Sequence, residues 1–449
     1  MTILLGLIAL SFLVIIHEAG HFFAARISGV TVETFSIGMG PVVLHKKSGP
    51  TDYRLSLIPF GGYCGMKGEK DFQKALDEKL TEFPRDPESF YGVHPLKRLF
   101  IAFAGPFCNI LFAALAFTLI GLAGYTYYSA DNRIILADEI SPGIVSAARS
   151  QGLKTGDRIL SLNNEPTETF LDITRIIATH PEEDVSAEVE RDGRILRLTL
   201  HPALEKSSAS GKIGVYNWID PVVGEVPPES SAGALGLQRG DVITAVDGEE
   251  VAAAAQVFKL LEGKTTARLT CRRVSPGGGE SPFDVTLSLP EDSFSFAVPA
   301  RKSKRYSLIP ALGYGVTETG KMLGLTVKSI GMLFRGADLS SSVSGPVRIS
   351  YIIGDTVKSG FQGGFNHGFT SVLNLLALIS VSLFIMNLLP VPLLDGGLVF
   401  FSLIETIIRR PLNPRFLYYI QFAGIGFIAL LFGFALFSDA KYFLGVLRK

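Results

Sequence analysis

His17, Glu18 and His21 stand together in the stretch VIIHEAGHFF that begins at Val14. On a helix, positions i and i+4 share a face, so His17 and His21 can turn imidazole nitrogens toward one metal ion. Glu18, next to the first histidine, can then take a proton from water activated by that ion. The pattern His-Glu-x-x-His is thus suited to metal-assisted hydrolysis. Its setting sharpens the reading. The preceding residues, MTILLGLIALSFLVII, are as apolar as a lipid-crossing helix. A charged side chain near a bilayer centre costs roughly 2.5–3.5 kcal/mol on insertion scales. Coordination to a divalent cation would offset that cost. The alternative is a buried polar network that holds helices together.

A hydrolytic zinc takes three protein ligands and keeps one position open. A third ligand at membrane depth is available in LFIMNLLPVPLLDGGLVFF, which begins at Leu383 and carries Asp395. Pro390 and Pro392 cannot continue a regular helix. Irregular backbone at that depth is tolerated only where it is buried in protein or lines a watery cavity. An opened helix beside an acid is what a water site inside a membrane requires. The alternative is that the prolines merely end the span and Asp395, with Gly396 and Gly397, caps the next helix.

The elements that must position these groups are long and apolar. Stretches at about Ile3–Ala25, Leu99–Tyr125, Val372–Leu389 and Tyr418–Phe437 can each supply the roughly 20 residues that cross a bilayer as a helix. The first lacks a basic start and a small-x-small cleavage site, so it reads as a retained span rather than a signal peptide. The whole chain of 449 residues is 47% hydrophobic and 19% charged, with zero net charge, and its mean hydropathy is +0.33. That balance fits a membrane protein with soluble parts and gives no footing for nucleic acid. Cys64, Cys108 and Cys271 are too few and too scattered for a disulfide framework or a thiolate zinc site. Arg26, Lys46, Lys47, Lys97 and Arg98 lie between the first two spans, and Arg409, Arg410 and Arg415 between the last two. By the positive-inside rule those loops are cytoplasmic. Both termini and the segment from about 126 to 370 then lie on the opposite side, although Lys441, Arg448 and Lys449 run against this.

That long segment contains a repeat. GLKTGDRILSLNN begins at Gly152 and GLQRGDVITAVDG at Gly236, an offset of 84 residues. In each frame a Gly-Asp pair supplies a turn ahead of a strand. Alternating runs such as RILRLTL and ARLTCRR complete a β-rich unit. The two copies resemble tandem PDZ domains, which bind an extended peptide at a sheet edge; a repeated spacer without ligand is the alternative. Beyond them, ARKSKRYSLIP is a basic linker, and residues 311–335 read as a helix lying on the membrane surface or packing on the second repeat.

Taken together, HEAGH in the first span and Asn-x-x-Pro-x-Pro-x-x-Asp-Gly in a later one resemble the site-2 protease family of intramembrane zinc metalloproteases. The four-span plan with two PDZ domains resembles its RseP-like group. FSIGMGP, YRLSLIPFGGY, FAGPFCN, SGPVRIS and NLLPVPLLDGG carry the likeness along the chain. The resemblance implies that His17, His21 and Asp395 hold Zn2+ and that Glu18 is the catalytic base and acid. It implies that Asn387 contacts the substrate backbone or the oxyanion, and that Pro390 and Pro392 shape the broken segment. Gly38 and Gly40, flanking Met39, would form a re-entrant loop. The stretch Tyr53–Ile58, with Tyr53, Leu55 and Leu57, would offer a strand edge to an unwound substrate helix. Asn109 serves either substrate positioning or packing. Leu398 departs from the family, which often has histidine or arginine there.

The expected fold is therefore a polytopic α-helical membrane protein of four transmembrane helices with membrane-associated strands, plus two α+β PDZ domains. The expected divisions are 1–125, 126–209, 210–292, 293–370 and 371–449. The implied function is cleavage of single-span membrane proteins of the anti-sigma-factor type, pre-trimmed by another protease, and of remnant signal peptides. The PDZ pair would reject substrates that still carry bulky domains. The setting is a bacterial inner membrane, with lipids as partners, no nucleic acid, and the PDZ domains and both termini outside the cytoplasm. A catalytically silent PDZ membrane scaffold is the alternative, and a metal transporter a further one.

Overall fold

The computed structural model describes residues 2–447, except Arg85, Pro142, Val145, 206–209, 228–229, 275–279, 289–293 and 334–343. The chain divides into two units. One comprises Met1–Tyr125 with Ser303–Gly331 and Leu339–Lys449; the other is built on Thr126–Lys302.

The first unit holds four helices long and apolar enough to cross a membrane: Thr2–Ser28, Pro95–Ala123, Phe365–Leu388 and Pro414–Leu447. The chain is a multi-pass membrane protein, and these are its first to fourth spans. The second starts where Pro95 occupies the first turn, a position whose N–H would go unbonded anyway. His94 caps it by accepting from Leu96 N–H at 3.2 Å. Small residues line its packed face: Ala113 and Ala116 meet Ala377 and Val381 of the third span, as lipid-buried helices require for close approach.

The helix Leu308–Leu333 adds Met322 and Leu323 to the same cluster. Gly315 lies so close to the second span that a Cβ there would sit 2.5 Å from the Ala114 carbonyl oxygen. This helix packs on the spans, so neither expectation for it, surface helix or partner of the second repeat, describes it fully. Its exposed apolar residues Leu308, Ile309, Leu312 and Val316 leave one face outward.

The third span stops at Leu388, and a new helix, Asp395–Ile408, begins six residues after Leu389. Between them Leu393 is held at φ 93°, a conformation costly for a branched side chain. Gly396 and Gly397 are required by this fold-back. A Cβ on Gly397 would lie 2.5 Å from the Val391 carbonyl oxygen, and one on Gly396 would run into the Leu388 and Leu389 carbonyls. The prolines thus end the span and open the backbone, and Asp395 opens the following helix.

The fourth span is largely exposed and docks near its start, middle and end: Leu417 is buried against Ala75 and Phe83. Gly424 packs on Pro392. Asp439, buried, accepts from the backbone N–H groups of Gly345, Val347 and Arg348 at 2.7, 3.1 and 3.1 Å. It thereby satisfies the free donors at the start of the helix Pro346–Gln362, which accounts for the SGPVR stretch.

Two strands, Val32–Ser48 and Thr51–Met66, lie between the first and second spans. Each folds back on itself. Phe35 pairs with both Tyr53 and Cys64, while Tyr53 pairs with both Phe35 and Lys46, and Leu55 with both Ile37 and Leu44. The ladder order is therefore 62–66, 34–37, 52–55, 44–48. Gly38 and Gly40 sit at φ 82° and 83° where the first strand turns. A Cβ on Gly38 would come within 2.8 Å of the Ile58 carbonyl oxygen. Around this turn Met39, Val42, Val43, Leu44, Leu55, Leu57 and Ile58 expose apolar side chains.

The second unit contains two four-stranded antiparallel sheets of the same order. Strands Glu165–Pro166, Arg158–Leu162, Val185–Arg191 and Arg194–Leu200 make the first; Glu249–Glu250, Val242–Val246, Thr266–Val274 and Glu280–Ser288 make the second. Each packs a short helix, Phe170–Ala178 or Ala254–Leu261, over its own apolar core. The Gly-Asp turns are matched in detail. Asp157 accepts from Lys154 N–H at 2.8 Å and pairs with Arg191; Asp241 accepts from Gln238 N–H at 2.7 Å and pairs with Arg273.

The repeat boundaries differ from those expected. Val215–Asn217 pairs with Ile134–Leu136, so residues beyond 209 close the first copy. Val223 pairs with Phe296, so the second copy runs past 292. The last strand of each copy returns to its beginning; a sequence period gives the length of a copy and not its starting point.

Candidate active site

The first span brings His17 and His21 one turn apart, both buried. Asp395, from the first turn of its helix, reaches between them. His17 Nε2 lies 3.0 Å from Asp395 Oδ2, and His21 Nε2 lies 3.3 Å from Asp395 Oδ1. The two Nε2 atoms are 3.2 Å apart. One donor atom from each residue falls within 4.8 Å of the others, the one such convergence of three among the described residues. Two imidazole nitrogens and a carboxylate oxygen form the donor set of a hydrolytic zinc site, so the residues present fit the metal.

The second span backs this group. His21 Nδ1 donates to the Ile101 carbonyl oxygen at 2.8 Å, which leaves Nε2 toward Asp395. One turn further, Gly105 leaves room for the ring. A Cβ there would lie 2.5 Å from His21 Cε1, 2.8 Å from Cδ2, and closer still to Nε2. Asn109, wholly buried, stands 3.2 Å from His17 Nδ1 through its side-chain amide. Gly20 presses on the same helix: a Cβ there would lie 2.8 Å from Ala104 C.

Glu18 is half-buried beside the histidines. It accepts a hydrogen bond from the backbone of Cys64, and its Cγ lies near Gly62. Ser11 Oγ donates to the Pro59 carbonyl oxygen at 2.6 Å, tying the first span to the same strand. The Asn387 amide lies 3.5 Å from His17 Nδ1, at the end of the third span and half-buried. Pro390 and Pro392 occupy the break that precedes Asp395. Gly38 and Gly40 form the turn of the strand pair, where Met39 meets Gly61.

One expectation is corrected here. Tyr53 and Leu55 already have ladder partners on both sides, so they offer no open edge, and neighbouring Leu57 is an exposed apolar side chain. The outermost segments of the ladder are 44–48 and 62–66, and 62–66 is the one beside Glu18. Alternation along a strand shows which face is buried, but not which strands flank it. Leu398 lines a cavity of ≈ 150 Å³ together with Arg98 and Glu405. The Arg98–Glu405 ion pair is buried and joins the second span to the Asp395 helix. The Ile101 carbonyl, Gly62 and Cys64 had no distinct sequence signal. For Gly105 and Asn109 a hint was available in FAGPFCN, where they sit four apart on one helical face.

A family model described as peptidase family M50 matches residues 5–431. A protein of Treponema pallidum is 40% identical over 98% of this chain and 99% of its own length. One of Borreliella burgdorferi is 29% identical, over 99% and 100%. Both carry provisional names as zinc metalloproteases. A protein of Haemophilus influenzae named regulator of sigma E protease is 31% identical, over 96% of this chain and 97% of its own.

Proposed function

The chain belongs to peptidase family M50 and is a zinc metalloprotease; we propose that it hydrolyses peptide bonds within membrane-spanning segments. The observation that carries this is the meeting of His17, His21 and Asp395 beside Glu18, with both histidines and Glu18 on a helix apolar enough to lie in lipid.

His17 Nε2, His21 Nε2 and an Asp395 oxygen would hold zinc. When bound, zinc supplies Lewis acidity and brings the ionisation of water near neutral pH. Glu18 takes the proton of the attacking water and delivers it to the leaving amine. Asn387 donates from its amide to the substrate carbonyl. Helical peptide bonds are shielded by their neighbours, so the substrate must be extended before attack. The extended segment would lie along the outer strands of the ladder near Glu18, the way peptides join sheets elsewhere. Gly38 and Gly40 let the neighbouring strand turn, and the break at Pro390 and Pro392 admits water that a regular helix would exclude.

The substrates in this reading are single-span membrane proteins of the anti-sigma-factor type and remnant signal peptides, trimmed beforehand by another protease. The name of the Haemophilus influenzae relative supports the first class. The two repeats act as PDZ modules, and the protein resides in a bacterial inner membrane with the repeats and both termini outside the cytoplasm. A silent scaffold would have no use for an acid retained beside three converging donors.

The test is cleavage of a reporter single-span helix in liposomes by wild type and by Glu18→Gln, with zinc content measured on both. The expected result is cleavage by wild type alone and equal zinc in the two proteins. Equal cleavage by both would refute the role of Glu18, and absence of zinc from active wild type would refute the site.

A further inference from the structure

The two histidines are differently provided for. Both turn Nε2 toward Asp395, so each should carry its proton on Nδ1 and needs an acceptor there. His21 has one in the Ile101 carbonyl oxygen. Around His17 Nδ1 stand two amide nitrogens, Asn109 Nδ2 at 3.2 Å and Asn387 Nδ2 at 3.5 Å. N–H groups facing an N–H group make no bond. Meanwhile Oδ1 of Asn109 is buried without a partner, an unfavourable condition for a polar atom. One change resolves the first. The two orientations of an asparagine amide fill the same space, and turning Asn109 over brings Oδ1 to His17 Nδ1–H.

We propose that Asn109 is a positioning residue, whose side-chain oxygen accepts from His17 Nδ1–H and so keeps Nε2 free for the metal. The surroundings suit that role. Ser380 Oγ donates to the Asn109 carbonyl oxygen at 2.9 Å and fastens the second span to the third at this residue. Ile101, Gly105 and Asn109 form one stripe with a spacing of four. It supplies an acceptor for His21, room for its ring, and an acceptor for His17. Asn387, less buried, is left for the substrate.

This inference rests on the reading that His17, His21 and Asp395 hold zinc, and the experiment separates the two. Zinc dissociation constants are measured by chelator competition on the full chain in detergent, with thermal unfolding as the check on folding. Asn109→Leu, which removes the acceptor, is expected to weaken zinc about 10–100-fold. Asn109→Asp, which keeps an acceptor in place, is expected to stay within about threefold of wild type, whereas a packing role would make both substitutions costly or both neutral. If Asn109→Leu does not fold, Asn109→Ala takes its place with the same expected loss. Retention of zinc by folded His17→Ala refutes the metal site itself. Loss there, with wild-type affinity in the acceptor-free variant or tenfold weakening in Asn109→Asp, refutes the role of Asn109 alone.

Discussion

Replacing Gly105 by alanine adds one methyl group where the structure has least room for it. The new Cβ would lie 2.5 Å from Cε1 and 2.8 Å from Cδ2 of His21. Carbon contacts settle at about 3.5–4.0 Å, so the ring must retreat by about 1 Å. It cannot do so freely. Its Nδ1 is bonded to the Ile101 carbonyl oxygen, and Gly20 already brings the first span against Ala104. A displacement of about 1 Å at a reacting centre costs on the order of 100-fold in rate, equivalent to about 2.7 kcal/mol. We therefore expect Gly105→Ala to cut reporter-helix kcat/KM about 100-fold and to lower zinc content, with the protein still folded by thermal unfolding. Gly426→Ala is the control. It lies in the exposed fourth span with nothing within 4 Å of the added methyl, and should leave both measurements unchanged. Wild-type cleavage and full zinc in Gly105→Ala would refute the reasoning, because the methyl would then have found space that the packing denies it.

The Arg98–Glu405 pair is buried and holds the Asp395 helix to the second span. Arg98→Met alone should cost about 3–5 kcal/mol by stranding Glu405, and the double change to methionine markedly less, as read by unfolding in mixed detergent. Asp439→Leu leaves the backbone N–H groups of Gly345, Val347 and Arg348 without their acceptor. It should lower stability by about 0.5–2 kcal/mol or more, on the scale of lost helix caps, and should speed proteolysis of the following helix. Cys271 is wholly buried in the second repeat, and burial, with the charges of Asp241 and Asp284, pushes its thiol up to about 12. Mass spectrometry should find it unmodified by maleimide at neutral pH until the domain unfolds; rapid labelling of the native protein would contradict the packing.

The two histidines and the acid between them, the four apolar helices and the repeat were legible because each is a local pattern. A spacing of four on a helix, a run of apolar residues and a recurring Gly-Asp turn are all written in neighbouring positions. The repeat boundaries were not, since the strand that closes each copy comes from its far end: Val215–Asn217 returns to Ile134–Leu136. Nor was the sheet order, in which Tyr53 and Leu55 turned out to be interior. Composition alone could nominate Asp395. Only packing decided that its carboxylate reaches both imidazoles, through the fold-back permitted by Gly396 and Gly397. The same holds for the second span, where the Ile101 carbonyl, the missing side chain of Gly105 and the buried amide of Asn109 meet the histidines. Periodicity specifies which face a residue occupies; the partner that face meets depends on how distant segments close-pack, and no short stretch of sequence contains that information.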